Sequence, residues 1–333
     1  MNQFNSNSNN ERFILNEEDD LEDFGSRPYD RSIPELLNNG IIFVDKQSGP
    51  TSHQIVSWVR SMLNQKKAGH SGTLDPQVTG LLPIGLGDAT KALSILLYGA
   101  KEYVAVIRLH DDVDSESFTN CISEFTGKIF QKPPQRSAVK RRTRTREIYD
   151  IEPLDYKGRI VCLKILCEAG TYIRKLIYDI GEVLGCGATM IELRRTKVMH
   201  IDEKTKFVKL DDLNDAMFLW KSHNQDEKIR SLVQPVEFIS KPLNSIMVRS
   251  SAIDSICHGA QLAIPGILNF SKSIQKGDNI SLISQKEELI AIAKSELSAI
   301  ELQENTKGIA GITQRVIMRP GTYPKMWKKK SDS

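Results

Sequence analysis

His70-Ser71-Gly72-Thr73-Leu74-Asp75-Pro76-Gln77-Val78-Thr79-Gly80-Leu81-Leu82-Pro83 sets one carboxylate among glycines, prolines and small hydroxyl residues. Asp75 is therefore expected in a loop, inside a glycine-rich segment, 69–87, that interrupts regular periodicity. Two readings of this carboxylate follow. An Asp-Pro pair commonly forms a turn in which the carboxylate bonds backbone amides. A rigid loop is also where proteins mount reactive groups, and a carboxylate there is a candidate nucleophile.

The flanking chain reads as a folded domain. Gly40–Lys46 (GIIFVDK) has the length and apolarity of a short buried strand, and Ser48-Gly49-Pro50 supplies turn chemistry after it. Thr51 or Ser52 can cap a helix whose apolar residues Ile55, Val59, Met62 and Leu63 recur at helical spacing, with Trp58 at the flank. Downstream, 103–109 (YVAVIRL) and 160–166 (IVCLKIL) are aliphatic runs expected as central strands. After Gly170, Thr171 can cap a second helix with Ile173, Leu176, Ile177, Ile180 and Leu184 on one stripe, stopped by Gly185 and Gly187. Strands mixed irregularly with few helices, and no repeated βαβ unit, give an α+β fold class over a doubly wound parallel sheet.

At 333 residues the chain exceeds one usual compact core, so two domains are expected. Residues 31–238 form the first. Residues 214–239 are polar and ambiguous. From 241 to 325, short strand-like pieces (245–248, 279–283, 289–293, 314–318) punctuated by Gly259, Gly266, Gly277 and Gly311 suggest a small β-rich module. Residues 1–30, Asn/Ser-rich and then acidic through Glu17-Glu18-Asp19-Asp20, are too polar to offset the entropy of ordering and are expected as a mobile tail. Residues 326–333 form a short basic tail.

Composition excludes some classes. With 40% hydrophobic and 26% charged residues, the chain is ordinary for a soluble globular protein. A net charge of +3 permits a polyanionic partner without requiring one. No N-terminal apolar run resembles a signal peptide, and no stretch approaches the roughly 20 apolar residues of a membrane span, so an intracellular protein is expected. Cys121, Cys162, Cys167, Cys186 and Cys257 lack C-x-x-C spacing and are expected as buried thiols, and the six histidines form no metal-ligand pattern.

The segment His70 to Pro83, followed by Gly87-Asp88-Ala89-Thr90-Lys91, closely resembles the catalytic segment of the TruB/dyskerin pseudouridine synthases, with the G-x-L-D-P-x-x-T-G core complete. Three further blocks match in order: Lys101-Glu102-Tyr103 with Asp111-Asp112-Val113-Asp114-Ser115 after it, Gly170-Thr171-Tyr172-Ile173-Arg174, and Glu192-Leu193-Arg194-Arg195-Thr196. Four ordered matches over more than a hundred residues are far more specific than any one.

The resemblance implies a catalytic domain with a mixed, mainly antiparallel sheet, and isomerisation of uridine to pseudouridine in RNA with no metal or cofactor. It assigns Asp75 as nucleophile, Arg174 as its partner in a partly dry site, and Tyr103 as the residue that stacks on the extruded base and moves a proton. His70 would help hold the flipped nucleotide, and Tyr172 and Leu193 would line the uracil pocket. The basic run Gln131-Lys132-Pro133-Pro134-Gln135-Arg136-Ser137-Ala138-Val139-Lys140-Arg141-Arg142 would set Arg136, Lys140, Arg141 and Arg142 against RNA phosphates.

This run, with 180–185 (IGEVLG), resembles the dyskerin-type branch more than the bacterial one. Ser255-Ile256-Cys257-His258-Gly259-Ala260-Gln261-Leu262-Ala263-Ile264-Pro265-Gly266 resembles the opening of a PUA domain, a small RNA-binding pseudo-barrel. That branch implies an H/ACA ribonucleoprotein with a guide RNA, rRNA targets and small companion proteins, or unguided action on the T-loop uridine of tRNA. The short C-terminus, without a long lysine-rich tail, points to an archaeal-type, cytoplasmic protein. The acidic N-terminal stretch matches nothing in this resemblance. A non-catalytic RNA-binding scaffold is the competing class. A PUA-bearing RNA methyltransferase is disfavoured, because no glycine-rich loop follows a strand to hold its cofactor.

Overall fold

The computed structural model describes residues 11–17, 24–132 and 142–325. Two sheets carry these residues. In the larger, Gln234–Pro235, Gly40–Lys46, Thr79–Leu86, Ala188–Val198, Lys101–Leu109, Ile160–Cys167, Arg144–Lys157 and Gly127–Gln131 lie side by side in that order, and Ala68–His70 also pairs with Thr79–Leu86. All these ladders are antiparallel except Thr79–Leu86 with Ala188–Val198. The fold is α+β, as the irregular alternation of strands and helices predicts.

The helix Ser52–Met62 starts as expected: Thr51 Oγ1 accepts from the Gln54 amide, and the Gln54 side chain accepts from the Thr51 amide, a reciprocal cap. Ile55, Val59 and Leu63 are buried against Val44, Leu82 and Ile84, whereas Met62 is only half-buried. The second helix, Ile173–Val183, buries Ile173, Leu176, Ile177 and Ile180 on the Ile160–Cys167 side of the sheet. Its cap differs from expectation. Tyr172 is the N-cap residue, and Thr171 donates its hydroxyl to the Glu168 carbonyl, closing the preceding turn.

The segment 69–87 is not irregular throughout, since Thr79–Leu86 is a fully inserted strand. A strand buried on both faces has no polar alternation to reveal it, and Pro83 argues against a central position because it removes a ladder donor. The stretch 214–239 is mostly helical rather than undefined, carrying Leu210–His223, Glu227–Leu232 and Glu237–Ser240 around the short strand Gln234–Pro235. Leu213, Ala216 and Met217 face the core while Phe218 is exposed, so the apolar stripe is blurred.

The smaller sheet runs Arg12–Ile14, Ile267–Ser271, Ser245–Val248, Asn279–Ile283, Leu289–Ser295, Ile309–Val316 and Leu262–Ala263. It surrounds a core built on Ile246, Val248, Phe270, Ile280, Leu282 and Ile290. The last long strand starts at Ile309, earlier than expected. The expectation of a uniformly mobile N-terminal tail is corrected: Arg12–Ile14 is an edge strand of this sheet. Phe13 packs on Phe270 at 5.6 Å between ring centroids, and Arg12 bonds the side chains of Asn269 and Ser245. These long-range partners order a stretch whose local composition is polar. The acidic residues 18–23 and the basic tail lie outside the described residues.

Ile41, Phe43 and Leu81 of the larger sheet share a core with Leu289 and Ile292 of the smaller and with Ile317, which follows its last long strand. Arg31 grips Glu237 through two 2.8 Å bonds, and Glu237 also accepts from the Leu289 amide at 2.9 Å. Among the described residues no helix is long and apolar enough to cross a membrane. Cys167 and Cys257 are buried as expected, but Cys121, Cys162 and Cys186 are half-buried.

Candidate active site

Asp75 sits on the loop between Ala68–His70 and Thr79–Leu86, and this loop is pinned from beneath. The Ser52 hydroxyl accepts from the Leu74 amide at 2.9 Å and lies 3.0 Å from the Leu74 carbonyl. The Gly49 amide donates to Pro76 O, and the Val78 amide to Asp75 O. Lys46, fully buried, directs its ammonium at the carbonyls of Pro76 and Val78, both at 2.8 Å. Burial pulls the Lys46 pKa below the ordinary lysine value, and the charge of Asp75 opposes this.

With its backbone held, Asp75 turns its carboxylate outward. Among the described residues its hydrogen-bond partner is Arg174, whose Nη2 lies 3.2 Å from Oδ2. The turn is closed by the Asp75 backbone carbonyl and the carboxylate meets a cation instead of amides, so the reading in which the carboxylate bonds backbone amides does not hold. The helix Ile173–Val183 places Arg174 one residue into its first turn. The expectation of a partly dry pair needs correction. The side chains of Arg174 and Asp75 are 65% and 66% exposed, so water screens them until something covers the loop.

Tyr103, half-buried on Lys101–Leu109, is the cross-strand partner of Arg195 and packs against the Ile173–Ile177 core. Burial pushes its phenol above the ordinary tyrosine pKa, Arg195 pulls the other way, and Asp75 is near enough to raise it further. Leu193, two residues before Arg195 on the same strand, packs on the same core. Tyr172 is held at its backbone: its amide donates to Gln131 Oε1 at 2.9 Å and its carbonyl accepts from Nε2 at 3.2 Å.

His70 ends its short strand with its ring 5.1 Å from that of His53. Its Nδ1 is buried without a hydrogen-bond partner among the described residues, and burial lowers its pKa, which favours the neutral imidazole. The structure thus brings Asp75, Arg174 and Tyr103 into one electrostatic neighbourhood, with Leu193 on the same packed face as Tyr103. For His70 and Tyr172 it shows well-defined local settings.

Arg136, Lys140 and Arg141 lie outside the described residues, whereas Arg142 is exposed at the near end of that run. Arg146, farther along, lies 3.5 Å from Glu168 and is engaged within the protein. Three buried side chains of the site escaped the sequence reading: Lys46, Gln131 and Arg195. The available signal was a buried-strand position for Lys46 and the Arg194-Arg195 doublet. On alternating strand positions, Arg194 pairs with Asp45 at 2.8 Å while Arg195 turns inward.

Comparisons with known proteins bear on this site. Residues 60–173 match the TruB family pseudouridylate synthase N-terminal domain, 174–240 the tRNA pseudouridylate synthase B C-terminal domain, and 244–317 the PUA domain. Residues 8–56 match the DKCLD (NUC011) domain, so the N-terminal stretch does have a counterpart. The probable tRNA pseudouridine synthase B of Pyrobaculum arsenaticum is 44% identical over 322 residues, 97% of each chain. A chain in an H/ACA RNP bound to a substrate RNA containing 2′-deoxyuridine superimposes with a TM-score of 0.88 at 40% identity, covering 95% of this chain and 97% of that one. A chain in a Cbf5-Nop10-Gar1 complex does so with 0.88 at 43%, covering 95% and 96%. Near-full-length identity at this level, on a fold that holds the acid, the cation and the tyrosine together, places the chain in the TruB family of pseudouridylate synthases.

Proposed function

We propose that this chain is an RNA pseudouridine synthase that isomerises uridine with Asp75 as nucleophile. In this reading its substrates are guide-selected rRNA uridines, with the chain as catalytic subunit of an H/ACA ribonucleoprotein, the T-loop uridine of tRNA, or both. Residues 31–238 serve as the catalytic domain and 241–325 as the PUA domain that holds RNA, in a cytoplasmic protein. Small companion proteins of the kind found in the Cbf5-Nop10-Gar1 complex complete the particle. The observation that carries this reading is the 3.2 Å Asp75–Arg174 pair, offered outward from a pinned loop.

The chemistry suits these residues. The C1′–N1 bond of uridine breaks, the uracil rotates, a C1′–C5 bond forms, and the C5 proton is lost as N1 gains one. Atoms and electrons balance without an oxidant or reductant. Asp75 attacks the sugar or stabilises its developing positive charge. Arg174 aims the carboxylate. Tyr103 and Leu193 receive the uracil, and stacking offsets the few-kcal/mol cost of extruding the nucleotide. An RNA laid over the exposed pair excludes water and strengthens every charge interaction in it. Arg136, Lys140, Arg141 and Arg142 engage phosphates.

Release of tritium from 5-labelled uridine, in a tRNA transcript and in an rRNA fragment with guide RNA and companion proteins, tests the reading. Release from either substrate supports it, and release from neither sinks it in favour of a scaffold. Arg174→Ala is expected to lower single-turnover release by about 10²-fold or more, because it removes preorganised charge at the reacting centre. The same change should leave urea unfolding within about 0.5 kcal/mol of wild type, since exposed pairs contribute little to stability.

A further inference from the structure

Gln131 is 2% exposed and ends Gly127–Gln131, an edge strand of the larger sheet. Strand alternation puts it on the same face as Ile129, which packs on the core that Ile173, Leu176 and Ile177 share. Its carboxamide meets both backbone groups of Tyr172: the Tyr172 amide donates to Oε1 at 2.9 Å, and Nε2 donates to the Tyr172 carbonyl at 3.2 Å. Tyr172 is the N-cap of the Ile173–Val183 helix and supplies no side-chain cap, and its carbonyl also accepts from the Leu176 amide at 3.0 Å. An N-cap amide has no acceptor within its own helix. Gln131 provides one from 41 residues away. The preceding turn has a separate anchor, since the Glu168 amide donates to Glu147 O at 2.8 Å and the Glu168 carboxylate accepts from the Glu147 amide at 3.1 Å.

We infer that Gln131 is a positioning residue that fixes the start of the Ile173–Val183 helix and thereby aims the Arg174 guanidinium at Asp75. The inference rests on the proposed isomerisation. The Arg174 side chain is 65% exposed and lies 3.2 Å from Asp75 Oδ2, so its direction depends on where its backbone is held more than on packing around it. That backbone lies two residues beyond the Gln131 contact. A carboxamide carries an acceptor and donors side by side, the pattern that the N–H and C=O of a single residue require. Methionine at 131 would keep the length of the side chain and lose both bonds.

The test is a double-mutant cycle on the full chain with its RNA, comparing wild type, Gln131→Met, Arg174→Ala and the double variant. Single-turnover rate per folded protein and RNA Kd are measured for each. Gln131→Met is expected to lower the rate by about 10²-fold through misplacement of a reacting-site group, with Kd within about twofold. In the Arg174→Ala background the same change should cost about threefold at most, because the guanidinium it aims is gone. Equal losses in both backgrounds, or no loss in either, would overturn the inference.

Hydrogen exchange of the wild type supplies a readout that needs no variant. The Tyr172 amide is expected to exchange about as slowly as the Leu176 amide, which makes a hydrogen bond of the helix itself. Exchange at the rate of an unstructured peptide would overturn the Gln131 contact. Absence of turnover in the wild type would instead fail the proposed function, and the exchange rate would still decide the contact.

Discussion

Asp75→Asn is expected to abolish pseudouridine formation, lowering the single-turnover rate by about 10⁴-fold or more, which corresponds to about 5.5 kcal/mol of transition-state stabilisation. Asparagine keeps the size of the side chain and removes its charge. The amide neither attacks the sugar nor balances positive charge on it, and no other carboxylate bonds Arg174 among the described residues. The structure also predicts what will not change. The side chain is 66% exposed and makes one 3.2 Å pair, so unfolding free energy should stay within about 0.5 kcal/mol. The loop's anchors through Leu74, Pro76 and Val78 are backbone groups that the substitution does not touch. RNA affinity should therefore hold within about twofold, measured by filter binding beside the rate assay. Appreciable residual turnover would move the chemistry to another residue, and a large loss of affinity would recast Asp75 as a binding group.

The residues proposed for the chemistry were legible in the sequence, whereas those that hold them were not. Asp75, Tyr103 and Arg174 stand in short ordered motifs that a family resemblance picks out whatever surrounds them. Lys46 and Arg195 are as close to the site, yet a buried cation looks in sequence like a polar residue at a strand position or a charge on a surface. Their placement arises from two carbonyl partners distant along the chain, Pro76 and Val78 for Lys46 Nζ and Gly72 and Leu81 for Arg195. The same limit explains the misjudged elements. Thr79–Leu86 is buried on both faces, so no polar residue alternates along it. Arg12–Ile14 is ordered by Phe270, Asn269 and Ser245, more than 200 residues away.

Gly80→Ala should show how tightly the catalytic loop is built against Arg195. Gly80 has φ +99°, a conformation that L side chains rarely adopt, and a Cβ there would stand 2.2 Å from the Arg195 carbonyl oxygen and 2.9 Å from its amide nitrogen. These are backbone atoms of a paired strand, with Gly80 opposite Arg195 in the one parallel ladder of the larger sheet. Neither strand can retreat cheaply, since Thr79–Leu86 also pairs with Gly40–Lys46 and the Arg195 side chain is locked below. Backbone strain and overpacking together should cost about 3–5 kcal/mol in chemical unfolding. Turnover of the folded fraction should fall by about 10²-fold as Asp75 is displaced. Gly49→Ala is the matched control: φ is +111°, but nothing lies within 4 Å of the added methyl, so only conformational strain of about 1–2 kcal/mol is expected. If the two variants lose equal stability, the contact with Arg195 is not what requires glycine at position 80, and the loop owes its shape to local conformation alone.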